Sequence, residues 1–205
     1  MQTSSSEVQQ KKAIKLPFDN CQQAYDCLVR KIDEVVAEKG GKAVFDESNT
    51  EHIRKVAEWL CDEKKKMLVM CGSVGNGKTT TMYAIMRLYN GARMTRQNGY
   101  VLEFDKVDGF DLDHATSQRI DEVKNTSLLA IDDIGCDNVV VKEYGNERVP
   151  FMEIIYKRYE LNGITIMTTN LTPEMIRKRY GEKIADRLAE TATIIPFTNP
   201  TYRRK

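Results

Sequence analysis

Apolar positions follow two rhythms along this chain. Up to about residue 62 they recur at helical spacing. Ala24, Leu28, Ile32, Val35 and Val36 line one face of a helix capped by Asn20 and stopped at Gly40-Gly41. After a linker carrying Phe45, Ser48-Asn-Thr-Glu51 reads as a capping box. It opens a second helix with Ile53, Val56, Ala57 and Leu60 inward and Trp59 at the edge of that face. From residue 67 the rhythm changes. Short apolar runs at Met67–Cys71, Tyr100–Phe104, Ser127–Ile131, Ile164–Thr168 and Thr193–Phe197 alternate with helical stretches. The helices expected between them cover Thr80–Tyr89, Asp111–Lys124, Arg148–Leu161, a short piece opened by Thr172-Pro173, and Glu182–Ala189 beyond Gly181. In the third of these the inward set is Met152, Ile155 and Tyr159, with Pro150 in the first turn. Pro196 marks the last strand as an edge or a strand end. Strands that alternate with helices predict an α/β fold whose parallel sheet of five strands is flanked by helices on both faces. There is no internal repeat.

The junction after the first run carries the chemistry. Gly72-Ser73-Val74-Gly75-Asn76-Gly77-Lys78-Thr79 fits G-x-x-x-x-G-K-[ST] between an apolar run and a helical one, which is the context that motif requires. The glycines let backbone N–H groups curl inward around an anion. Lys78 reaches the β- and γ-phosphates, Thr79 offers a hydroxyl to Mg²⁺, and the helix beginning near Lys78 adds its positive end. The competing reading is an ordinary strand–turn–helix. The expected ligand is a nucleoside triphosphate.

Further residues complete a site for hydrolysis. The run Ser127–Ile131 ends in Asp132-Asp133, the first placed to hold a magnesium shell and the second to polarise a water. Asn170 ends the neighbouring strand and offers an amide to a γ-phosphate or to that water; alone it reads as a turn or cap asparagine. Arg187 precedes the last strand. It is either a surface partner of Glu182 or Glu190, or an arginine offered to the γ-phosphate of a neighbouring molecule.

Composition narrows the setting. With 205 residues and a net charge of +1, no global field draws the chain to nucleic acid or membrane. The five cysteines form no Cys-x-x-Cys pair and the two histidines stand apart, so neither a disulfide framework nor a structural metal is expected. No apolar run approaches a membrane span, and Met-Gln-Thr-Ser-Ser-Ser-Glu lacks the apolar centre of a signal peptide, so the expected compartment is the cytoplasm.

Taken in order, GSVGNGKTT, LLAIDDIG, ITIMTTNL and YGEKIADRL resemble AAA+ ATPases of the DnaC/DnaI helicase-loader group and the related IstB-like transposition helpers. The resemblance runs from about Ser48 to the C-terminus. It implies a P-loop NTPase fold and a nucleotide-binding loop of Gly72, Ser73, Val74, Gly75, Asn76, Gly77, Lys78, Thr79 and Thr80. It also implies ATP and Mg²⁺ as ligands, the metal on Thr79 and Asp132. Asp133 would act on water, Asn170 would sense the γ-phosphate, and Arg187 would be an arginine finger acting in trans. Pro200-Thr-Tyr-Arg203 is similar to the family's closing serine-tyrosine-arginine, making Arg203 a candidate second sensor. Asp133 stands where many AAA+ proteins carry glutamate, a shorter reach that implies slower turnover. Only 198–205 follow the last expected strand, so little or no C-terminal lid domain is expected. The organisation then reads as a tail over 1–17, a helical extension over 18–47 and an AAA+ domain over 48–205.

The resemblance further implies a nucleotide-dependent homo-oligomer, single-stranded DNA as a ligand, and a replicative helicase or a transposase as partner. Arg93, Arg96, Arg177, Lys178 and Arg179 are the basic candidates for DNA contact; a solvated charged face is the alternative. Two other classes compete with a loader or transposition helper. One is a small-molecule kinase, which the paired carboxylates argue against. The other is an adaptor that binds ATP with little turnover.

Overall fold

The computed structural model describes residues 16, 18–62, 64–92, 103–143 and 145–202. Five parallel strands run in the order β2-β3-β6-β1-β7: β1 (Met67–Gly72), β2 (Phe104–Asp108), β3 (Leu128–Ile134), β6 (Ile164–Thr169) and β7 (Ala192–Phe197). A short antiparallel pair, β4 (Val141–Glu143) and β5 (Asn146–Arg148), lies outside the sheet. The central strands β1 and β6 are buried on both faces because helices cover both. Leu68 and Met70 face a core built with α1 (Cys21–Ala37), α2 (Glu47–Cys61) and α3 (Lys78–Gly91). Met67 and Val69 face the other core, with α4 (Ser117–Asn125), α5 (Pro150–Leu161), α6 (Pro173–Tyr180) and α7 (Glu182–Thr191). The α/β architecture expected from the sequence is therefore present, with Pro196 on the edge strand β7.

Several local expectations are corrected. Helix α2 starts two residues early, because Asp46 rather than Ser48 is the cap. Its carboxylate accepts from Ser48 N and Asn49 N while the Asn49 side chain returns a bond to the Asp46 backbone. Trp59 is buried rather than peripheral, its indole N–H donating to Lys65 O at 3.0 Å. Of the strand expected over Tyr100–Phe104, residues 100–102 lie outside the described residues; β2 instead runs forward from Phe104 through Asp105-Lys-Val-Asp108. An edge strand whose tip borders a polar site tolerates that polarity. The helix expected over 111–124 is split into a 3-10 turn at Phe110–Asp113 and α4, whose N-cap is Thr116.

Helix α5 is rotated relative to its expected face. Phe151, Ile154, Ile155 and Arg158 are buried, whereas Met152 and Tyr159 are only half-buried. Arg158 is the reason. Its fully buried guanidinium donates to the carbonyls of Thr126, Ser127 and Ile164 and to Thr165 Oγ1, tying off backbone ends of β3 and β6. Burial pulls its pKa down to about 10, so it stays charged at neutral pH. A Cβ on Gly163 would meet Arg158 Nη2 at 2.4 Å, so the glycine leaves room for the clamp.

Candidate functional site

The C-terminal ends of β1, β3 and β6 meet at one rim, where sheets of this kind bind ligands. A cavity of about 890 Å³ opens there. The loop lines it from Val74 to Lys78, while Gly72 and Ser73 are not among the lining residues, and the loop is held in shape from outside. Asn76 is buried and donates to Phe197 O at 2.8 Å, Asn199 Nδ2 donates to Asn76 O at 3.0 Å, and Tyr202 N donates to Gly75 O at 2.8 Å. Gly72 takes φ +150°, and a Cβ there would meet Phe197 O at 2.3 Å, so β7 and the loop approach too closely for any other residue. Gly77 caps α3 at φ +97°, so the first amides of that helix face the cavity.

Lys78 is 5% exposed and its ammonium is caged. It donates to Gly72 O and Ser73 O, each at 2.8 Å, to Asn76 Oδ1 at 3.2 Å and to Asn170 Oδ1 at 3.1 Å. These four acceptors already share the ammonium's three N–H donors, so a phosphate oxygen binds by replacing some of them. The structure thus brings Asn170, at the tip of β6, onto the loop.

The acids are presented by a bulge. Strands β3 and β6 pair in step up to Ile131 and Met167, and pairing resumes at Ile134 with Thr169. One extra residue is therefore accommodated in β3, and the bulge holds Asp132-Asp133. Asp133 takes φ +53° and is exposed at the cavity; Asp132 is buried, with Oδ1 accepting from Thr79 Oγ1 at 3.0 Å. A hydroxyl and a carboxylate oxygen so placed form a hard-donor pair suited to Mg²⁺. Lys106 lies alongside, its Nζ 2.5 Å from Asp108 Oδ1 and 3.9 Å from Asp132 Oδ2. Burial opposes its charge, but Asp108 prevails and holds its pKa above the usual lysine value.

Sequence reasoning missed Thr168. Fully buried in β6, it accepts from Asp133 N at 2.9 Å and donates to Asp132 Oδ1, joining both acids through one hydroxyl. The available signal was a hydroxyl within a run otherwise read as buried strand, since such a group needs a partner. An apolar part of the lining was also missed. Ile32 and Val36 of α1, Ile53 of α2, Val44, Phe45 and Tyr202 line the cavity as well, an apolar surface suited to a nucleobase.

Arg187 is not among the cavity-lining residues. It lies on α7 against Tyr156 and Tyr159 of α5. Arg203 falls outside the described residues, as do Arg93 and Arg96. Arg177 pairs with Glu182 and lies 3.8 Å from Asp186, Arg179 donates to Asp137 O, and Lys178 is exposed.

His52 ties α2 to the strand that supports the loop. Its ring stacks on Phe197 with centroids 5.0 Å apart, and Nε2 accepts from Thr198 N at 3.2 Å. Burial, then Lys55, depresses its pKa, against a smaller opposing pull from Glu51. An unfolded histidine takes up a proton near pH 6.5, whereas this one resists until lower pH. Stability is thus unaffected by His52 above that range and falls as pH drops below about 6.5. The thermal midpoint is expected to drop between pH 7.5 and 5.5, and to drop less in His52→Gln; equal losses in both proteins would refute the assignment.

The model for IstB-like ATP binding proteins matches residues 44–205. No curated protein matches the chain in sequence. Among solved structures, DnaI is 22% identical with a TM-score of 0.59, the alignment covering 85% of this chain and 93% of that one. AMPPCP-bound DnaA from Aquifex aeolicus is 20% identical at TM-score 0.51, covering 75% of this chain and 48% of that one. DnaA bound to AMPPCP and single-stranded DNA is 19% identical at 0.56, covering 79% and 50%. Those likenesses show the fold, an α/β P-loop AAA+ module. Because the family match takes in the phosphate loop, both acids and Asn170, and extends over well more than half of the chain, the chain belongs to the IstB-like ATP binding proteins.

Proposed function

We propose that the protein is an ATP-hydrolysing, nucleotide-assembled loader that places a replicative helicase on single-stranded DNA in the cytoplasm. The observation that carries the hydrolytic part is the bulge, which sets buried Asp132 on Thr79 and leaves Asp133 exposed at the same cavity. The nucleobase lies against the wall of Ile32, Val36, Phe45 and Tyr202, and the phosphates lie on the loop amides and Lys78. Thr79 and Asp132 hold Mg²⁺, which when bound neutralises charge on the β- and γ-phosphates. Asp133 orients the attacking water and accepts its hydrogen bond. Asn170, with its carbonyl on Lys78, turns its amide toward a γ-phosphate oxygen. Arg187 of a neighbouring copy completes the site. The DnaI-like fold supports helicase loading. The family match favours a second reading, an ATP-dependent transposition helper acting with a transposase on the same chemistry.

Two measurements test this. Light scattering is expected to show growth into a multimer only with ATP, and DNA retention that weakens steeply with salt. Phosphate release by Asp133→Asn is expected to fall about 10²-fold below the native rate, the range for losing a positioned acid or base. Equally slow release by both proteins would make the chain an adaptor that binds ATP without turning it over.

A further inference from the structure

Arg187 occupies the middle of α7, on the side that meets α5. Its guanidinium carbon lies 4.3 Å from the Tyr156 ring centroid and 5.1 Å from that of Tyr159. Those tyrosines are three residues apart, hence neighbours on one helix face. The acids closest in sequence are committed elsewhere. Tyr159 Oη donates to Glu190 at 2.9 Å, Glu182 pairs with Arg177, and Asp186 lies 3.8 Å from Arg177 as well. Among the described residues no carboxylate pairs with Arg187, and its Nε is buried without a hydrogen-bond partner.

Arg158 satisfies its donors on three carbonyls and a hydroxyl, whereas Arg187 leaves its buried Nε without a hydrogen-bond partner. Here the guanidinium carbon lies over two aromatic rings instead. Stacking on a ring fixes the plane of the group and attracts its charge without neutralising it. A residue that must deliver a full positive charge to another molecule's phosphate needs that combination of orientation and unspent charge.

We propose that Tyr156 and Tyr159 are positioning residues that hold Arg187 rigid and unneutralised for the triphosphate of a neighbouring copy. This rests on the reading that Arg187 acts in trans. Tyr159 has a second task, because its hydroxyl holds Glu190 in a hydrogen bond of its own. The clamp exists because Arg158 takes the inward position on α5, leaving Tyr156 and Tyr159 only half-buried and in contact with Arg187 of α7.

The test is steady-state ATP hydrolysis by the full chain above its assembly concentration, with assembly followed by light scattering. Tyr156→Leu is expected to lower kcat about tenfold with KM and assembly unchanged. Tyr156→Phe, which keeps the ring, restores kcat. In an Arg187→Ala background Tyr156→Leu is expected to cost nothing further, because the residues act through one group. Adding Lys78→Ala copies, which carry an intact arginine, is expected to restore turnover to Tyr156→Leu copies.

The outcomes separate the two ideas. Native turnover in Arg187→Ala overturns the trans reading itself. A large loss in Arg187→Ala with native kcat in both Tyr156→Leu and Tyr159→Leu overturns the clamp alone. A loss in Tyr156→Leu that recurs undiminished in the Arg187→Ala background, or that comes with raised KM and failed assembly, assigns the tyrosines to packing and also overturns it.

Discussion

Replacing Arg187 with alanine is expected to lower ATP turnover by roughly 10³-fold or more while leaving ATP affinity within about twofold, the size of effect seen when an arginine supplied to a transferring phosphoryl group is removed. Arg187 is absent from the lining of its own chain's cavity. It sits on the α5/α7 side of the sheet, while α1 and α2 wall that cavity from the opposite face. A group so placed can reach a triphosphate only in a site formed with another copy, as the proposed trans role requires. Turnover per subunit should accordingly rise with protein concentration. Mixing Arg187→Ala with Lys78→Ala should recover activity that neither has alone, since one retains the pocket and the other the arginine. Native kcat in Arg187→Ala, or no recovery on mixing, would remove the trans-acting arginine from the mechanism.

The legible parts of this site are those in which a residue type is forced by the backbone. Gly72, Gly75 and Gly77 take positive φ in the loop, and that requirement shows in the letters. The acids after Ile131 are legible for a related reason, since charge at the end of a buried run must emerge at a rim. What was not legible depends on pairing across the sheet. The bulge that separates Asp132 from Asp133 arises from the register of β3 against β6, and the role of Thr168 follows from that register. Nor does local sequence separate Asp46 from Ser48 as the cap of α2, because both side chains accept from backbone N–H groups equally well in principle. The face of α5 was misread because the pattern i, i+3, i+4, i+7 from Phe151 ends on Arg158, a residue that patterning assigns to solvent. Four acceptors brought together by β3, β6 and the Gly163 turn make burial of that charge tolerable, and none of them is local enough to announce it. The three-residue strands β4 and β5 are too short to carry an alternation.

The other large effect belongs to Lys78. In Lys78→Ala, ATP affinity is expected to fall by roughly 10²–10⁴-fold, from the loss of about two charge-assisted hydrogen bonds to phosphate at roughly 1.5–3 kcal/mol each. The cage around the ammonium makes the direction secure. Gly72 O, Ser73 O, Asn76 Oδ1 and Asn170 Oδ1 already surround Nζ, so a phosphate meets a lysine held in place rather than one that must be ordered on binding. The loop itself should survive the substitution, because Asn76, Asn199 and Tyr202 fix it from the β7 side without the lysine. Titration with a fluorescent ATP analogue should therefore show lost affinity at an unchanged thermal midpoint without nucleotide. If the midpoint collapses together with affinity, the ammonium is holding the loop's carbonyls together rather than holding the nucleotide. Native affinity in Lys78→Ala would mean that the triphosphate does not lie on this loop at all.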